Sequence, residues 1–283
     1  MRTTAVLMLL LASFVLANAE EEIPESIEVD FACTYGGQDY TVKTTLNYQY
    51  WYYYCESIFL YNSDGALIDE YTSPEPDIFL GIYGEQPYLE DFTGNGETEV
   101  IIFTNGGGND PLINLGLLVL RPTPAGFEEL YASMFSAPLA EDLDDDGVME
   151  IYTFSAYQPS FSLARAYRSS FIWDVWDSKG DEYSPADTAD YEAFFREEIE
   201  TRKSFYEERS WEILPEEQLR DGLAVLLLVT VAGFTEEYEI WWSEIEADLK
   251  QAVSEIENGD WSEVEEIFAT PELCHSFLYD ELW

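Results

Sequence analysis

Basic residues are what this chain most lacks. Among 283 residues, 12 lysines and arginines stand against 58 aspartates and glutamates, a formal net charge of -46. So acidic a chain repels phosphate backbones and anionic bilayers, which excludes nucleic acid and anionic membranes as partners. Histidine is scarcer still, with His275 the only one. It follows Cys274, but adjacent helical residues point in different directions, so the two do not read as a Cys–His nucleophile pair. Neither a Gly-x-Ser-x-Gly elbow nor a His-Glu-x-x-His motif occurs, and the glycine-rich stretch Asn105-Gly106-Gly107-Gly108-Asn109-Asp110 lacks the lysine and helix of a phosphate loop. It reads as a flexible loop between strands.

Long apolar runs are also missing. Residues 223–229, Leu-Ala-Val-Leu-Leu-Leu-Val, are too few to span a bilayer and read as a buried helical segment. The run at residues 5–16 is short as well. With Arg2 before it and the small-x-small site Ala17-Asn18-Ala19 after it, residues 1–19 read as a secretory signal, with the exported chain starting at Glu20. The alternative is an uncleaved anchor. No cysteine stands at the cleavage point, so a lipoprotein is not indicated. Of the three cysteines, Cys33 and Cys55 lie in neighbouring β-like segments and could pair in an oxidising compartment. Cys274 would then be the odd thiol, although the sequence leaves other pairings open.

Apolar residues are not scarce. With 47% hydrophobic and 16% aromatic residues, a folded, acid-coated body is expected rather than a disordered acidic chain. The acid is spread along the whole chain. High salt would screen its self-repulsion, so a saline habitat is the main expected cause of the charge, ahead of metal binding.

Two loops stand out from that background. Asp142-Leu143-Asp144-Asp145-Asp146-Gly147-Val148-Met149-Glu150 places carboxylates at positions one, three, five and nine and glycine at six, and the strand-like Ile151-Tyr152-Thr153-Phe154 follows. Alternate side chains can converge on one cation, and the glycine allows the turn that brings in the Val148 carbonyl. Such hard oxygen donors suit Ca²⁺. Asp91-Phe92-Thr93-Gly94-Asn95-Gly96-Glu97-Thr98-Glu99 repeats the spacing before Val100-Ile101-Ile102-Phe103. Here Thr93 and Asn95 replace two aspartates, so binding by Asp91, Thr93, Asn95 and Glu99 should be weaker. A full EF-hand needs a bidentate glutamate at position twelve, which here is Ile102 or Thr153.

These residues resemble the calcium loops of FG-GAP/VCBS repeats, found in integrin α-subunit propellers and many exported bacterial proteins. The resemblance covers about residues 80–155, closely in the second loop and partly in the first, while the flanking Phe-Gly and Gly-Ala-Pro signatures are absent. It implies a β-propeller-like repeat with Ca²⁺ held by Asp142, Asp144, Asp146, Val148 and Glu150.

Residues 27–184 read as β. Hairpins are expected at residues 57–71 about Asp64-Gly65, at 117–131 about Pro124-Ala125-Gly126, and at 170–183 about Lys179-Gly180. Hairpin and acidic loop alternate with a period in the range of propeller blades. Residues 187–283 read as helical, with starts at Pro215, at Asp260-Trp261-Ser262-Glu263 as a capping box, and at Thr270-Pro271, and with a stop at Asn258-Gly259. The expected fold is therefore α+β: a β-repeat domain over residues 20–185, a small or incomplete propeller or alternatively a β-sandwich, then a helical domain over 186–283. A helical tail would also cover sheet edges that otherwise invite aggregation.

The expected function is an exported, non-catalytic, calcium-stabilised protein that binds a protein or glycan partner. The aromatic run Tyr48-Gln49-Tyr50-Trp51-Tyr52-Tyr53-Tyr54 could stack sugars, or it is a strand with one packed face. The competing classes are a glycan-acting hydrolase on the same scaffold and a purely structural envelope protein; no carboxylate pair can be singled out for hydrolysis among so many acids.

Overall fold

The computed structural model describes residues 26–49, 52–72, 79–80, 87–105, 115–133, 138–160, 169–178, 182–209 and 214–280. The expected leader, most of the glycine-rich stretch, Lys179-Gly180 and the side chains of the aromatic run lie outside the described residues. The fold is α+β: three antiparallel sheets come first, and the helices follow. Among the described residues no sheet closes into a barrel.

In the first sheet, β1 (Ser26–Tyr35) turns through Gly36-Gly37 into β2 (Gln38–Gln49). Both glycines have φ near +60 to +70° (59° and 72°), as a two-residue hairpin turn requires. On its other side β2 takes β3 (Tyr52–Tyr54) and then β4 (Ser57–Asn62), so these two act as one interrupted strand. β5 (Leu67–Thr72) completes the sheet. The Asn62 side chain shapes the expected turn about Asp64-Gly65 by accepting from the Asp64 and Ala66 N–H groups, at 3.1 and 2.8 Å.

The second sheet repeats the plan. β6 (Phe79–Leu80) and β7 (Tyr88–Glu90) share one side of β8 (Glu99–Asn105), and β9 (Leu115–Thr123) and β10 (Gly126–Ser133) follow. The third runs β11 (Leu139–Glu141), β12 (Glu150–Tyr157), β13 (Ser169–Ser178), β14 (Tyr183–Pro185). With β3 and β4, and likewise β6 and β7, each pair taken as one interrupted strand, every sheet is an antiparallel meander of four strands adjacent in chain order.

The sheets share cores in sequence. Val42, Leu46, Ile58 and Leu60 of the first meet Val100, Ile102, Leu118 and Leu120 of the second. Ile101, Leu117 and Val119 turn the other way, to Ile151 and Tyr183 of the third. Because both faces of the second sheet are covered, residues 100–103 and 117–120 are continuously apolar. β2 instead alternates, burying Val42, Thr44 and Leu46 and exposing Lys43 and Thr45, so the first sheet has one solvated face.

The far face of the third sheet packs on helices. A 3-10 turn (Thr188–Tyr191), capped by the Asp187 carboxylate on the Ala189 N–H, leads into α1 (Glu192–Arg209). α2 (Pro215–Val231), α3 (Thr235–Glu255), α4 (Trp261–Phe268) and α5 (Pro271–Asp280) follow. Residues 223–229 of α2 are buried on every side, which explains why that stretch of the helix is apolar all round while its first two turns carry Glu216, Glu217, Arg220 and Asp221. Tyr152, Phe171, Ile172 and Val175 join Leu223, Leu226, Trp241, Phe268 and others in one core. Among the described residues no helix is long and apolar enough to cross a membrane.

Two local expectations are corrected. The capping box at α4 is half made: Asp260 accepts from the Ser262 N–H at 2.9 Å, but Glu263 reaches out to the Ser160 N–H at 2.7 Å, the Ser160 hydroxyl and the Tyr157 hydroxyl. A carboxylate that could have closed its own helix turn instead clasps α4 to the end of β12. The Cys33–Cys55 pairing is not formed, and all three thiols are free and buried. Cys33 sits opposite Tyr40, whereas the Cys55 side chain is bonded to Thr44, from the other side of β2. Four residues of strand are roughly 13 Å, beyond the reach of a disulfide.

Candidate metal centre

Both acidic loops occupy the same place in their sheets. Residues 91–98 join β7 to β8, and residues 142–149 join β11 to β12. Their backbones match as well. Position four is left-handed in both, as Gly94 (φ 67°) and Asp145 (φ 64°), and so is position six, as Gly96 (85°) and Gly147 (89°). Aspartate is one of the few non-glycine residues that tolerate this conformation.

The hydrogen bonds repeat position by position. Asp91 accepts from the Asn95 and Gly96 N–H groups at 3.1 and 2.8 Å, and Asp142 accepts from those of Asp146 and Gly147, both at 3.0 Å. At position five, Asn95 accepts from the Glu97 N–H and Asp146 from the Val148 N–H, each at 2.8 Å. At position nine, Glu99 accepts from the Phe92 N–H at 3.0 Å and Glu150 from the Leu143 N–H at 2.6 Å. Each glutamate thus ties the far end of its loop to the near end.

The loops differ in how their charge is compensated. Glu99 is fully buried against the equally buried Arg121, whose Nε lies 3.7 Å away, and also takes the Thr93 hydroxyl at 3.2 Å. Burial pushes the Glu99 carboxyl upward, while the Phe92 N–H, the Thr93 hydroxyl and the Arg121 charge pull it back. Glu150 is 1% exposed. Its pKa is pushed up to about 7, chiefly by burial, against the pull of the Leu143 N–H and with the Asp144, Asp146 and Asp177 charges adding to the rise.

Of the expected ligands, Asp142, Asp144 and Asp146 are brought together, each with a carboxylate oxygen within 4.8 Å of the others. Two oxygens on one Ca²⁺ at about 2.4 Å lie at most about 4.8 Å apart, so this set fits the ion. Glu150 does not belong to that cluster, because it is turned inward on Leu143. In the first loop Thr93 is also turned inward, onto Glu99, while Asp91 and Asn95 serve backbone N–H groups.

Three features of the centre escaped sequence reasoning. Arg121 carried a signal: a basic residue at the end of an apolar strand must meet a carboxylate when buried. Tyr183 carried none, yet its hydroxyl lies 3.0 Å from the Phe92 carbonyl and 2.9 Å from that of Met149. The third is that the loops touch each other. The Met149 N–H donates to the Phe92 carbonyl at 3.0 Å, and a Cβ on Gly94 would stand 2.9 Å from the Gly147 oxygen. The neighbouring β1–β2 turn joins the row, its Gly36 N–H donating to Glu97 at 2.7 Å.

What these features define is an α+β chain with paired acidic loops on adjoining sheets. No family model, curated protein or solved structure matches it.

Proposed function

We propose that this chain is an exported, non-catalytic β-repeat protein, arranged like part of a β-propeller, whose second acidic loop binds Ca²⁺ to hold the sheets in place. Its surface then engages a protein or glycan partner. The observation that carries this reading is the convergence of Asp142, Asp144 and Asp146 within 4.8 Å in a loop tied directly to the core strand β12. Three successive antiparallel meanders that share cores support the propeller-like part of this reading, because propeller blades are four-stranded sheets repeated side by side, and helices cover the far face of the third. The resemblance of the loops to FG-GAP/VCBS repeats and the leader-like residues 1–19 support calcium binding and export.

The three aspartates and the Val148 carbonyl would hold the ion, with Glu150 securing the loop from inside and adding negative charge. Asp91, Thr93, Asn95 and Glu99 form at most a weaker second site, since Arg121 already balances Glu99. Isothermal titration with Ca²⁺ in high salt, which suppresses diffuse uptake by so acidic a chain, tests the assignment. Wild type should show a site that Asp144→Ala loses, and equal uptake by both proteins would sink it.

A further inference from the structure

We infer that the first acidic loop positions the calcium site of the second: it sets the direction of the Val148 carbonyl through a backbone contact between adjoining sheets. This rests on the proposed role of the second loop as the calcium site. The Val148 carbonyl and the Met149 N–H belong to one peptide unit, which is planar and trans, so they point in opposite directions. That N–H donates to the Phe92 carbonyl of the first loop at 3.0 Å. The carbonyl therefore faces away from Phe92, and its direction is set by where Phe92 is held.

Phe92 is held firmly. Its ring is buried, and its own N–H is gripped by Glu99, which is in turn paired with Arg121. Tyr183 reinforces the joint from β14, its single hydroxyl proton shared between the Phe92 and Met149 carbonyls. Burial, together with the charges of Glu99, Glu150 and Asp177, raises the Tyr183 pKa, so the hydroxyl keeps its proton. Gly94 permits the approach, since a Cβ there would press on the Gly147 oxygen at 2.9 Å and on the Val148 side chain at 3.0 Å. Arg121, Glu99, Phe92 and Tyr183 are thus positioning residues. None of them needs to touch the ion.

Two glycines of the first loop provide a matched test. Gly94 and Gly96 are both left-handed, so alanine strains either one, but a Cβ on Gly96 meets nothing within 4 Å. Calcium affinity, measured by titration on protein shown to be folded by circular dichroism, should fall about tenfold in Gly94→Ala and little in Gly96→Ala. Tyr183→Phe should weaken binding about fivefold, the worth of one neutral hydrogen bond. Hydrogen exchange on calcium-free protein gives an independent reading: the Met149 amide should exchange faster in Gly94→Ala than in Gly96→Ala. If wild type binds calcium but the two alanine variants match in affinity and in Met149 exchange, the inference fails and the calcium site stands. If wild type binds no calcium, the proposed function fails and the inference with it.

Discussion

The two acidic loops share a backbone, a hydrogen-bond scheme and a place in their sheets, but not a source of positive charge. In the first, the buried Glu99 is met by Arg121, and threonine and asparagine stand at positions three and five. In the second, the buried Glu150 is surrounded by Asp144, Asp146 and Asp177, and its carboxyl is pushed up to about 7, first by burial. The comparison teaches that one loop geometry can be completed from inside by a side-chain cation, as Arg121 does for Glu99, or lack one, and on the proposed reading an ion from solution takes that place in the second loop. The self-sufficient loop lies against the other through Phe92 and Gly94, the contact on which the inferred positioning role rests.

Removing the internal cation should break this contrast most severely. Arg121→Met leaves Glu99 buried without its partner, a change of the kind that costs about 3–5 kcal/mol. Chemical denaturation should register most of the loss without calcium and somewhat more with it, because Arg121 also helps to position the calcium site and weaker binding stabilises less. A loss seen only in the presence of calcium would mean that Arg121 acts on the second loop instead of the first.

Next in size is removal of the external cation. An ion bound only by the folded state at a hundredfold excess over its dissociation constant stabilises by about 2.7 kcal/mol. Chelation should lower the melting temperature of wild type by several degrees and that of Asp144→Ala far less, with the first loop contributing only a minor second phase. An unchanged melting curve at moderate salt would make both loops ordinary acidic turns.

The smallest effect is a background that must be separated from both loops. Asp174 on β13 has its carboxyl raised to about 6 by burial. With a folded pKa above the unfolded 3.8, its ionised form opposes folding. The penalty is therefore full above pH 6 and is relieved as pH falls toward 4. Asp174→Asn should raise stability at pH 7.5 by roughly 1–2 kcal/mol and flatten the pH profile between 4 and 6 in chelator. A profile unchanged by the substitution would assign that titration elsewhere.

Much of the local structure was legible. The turns about Asp64-Gly65 and Pro124-Ala125-Gly126, the helix starts at Pro215 and Pro271, and the cap at Asp260 all follow from short-range backbone preferences that few contacts can override. The convergence of Asp142, Asp144 and Asp146 followed from alternate spacing around a left-handed glycine. The inward turn of Glu150 did not, because a carboxylate at position nine can equally face an ion or its own loop, and only burial beside the core strand decides. The failed capping box at Glu263 and the unformed Cys33–Cys55 pairing have the same origin: partners are set by neighbouring elements, and a one-dimensional spacing does not contain them.

By itself, then, the chain determined what depends on a few consecutive residues: which segments turn, which are helical, and where three aspartates can meet. Tertiary structure alone decided that Arg121 would neutralise Glu99, that Tyr183 would lock two carbonyls, and that the two loops would lie against each other. These contacts join residues up to 91 positions apart, as Tyr183 and Phe92 are. They exist because successive sheets bury their apolar faces against one another. The hydrophobic packing that orders the sheets is non-directional, and the loops at their ends meet as a consequence of it.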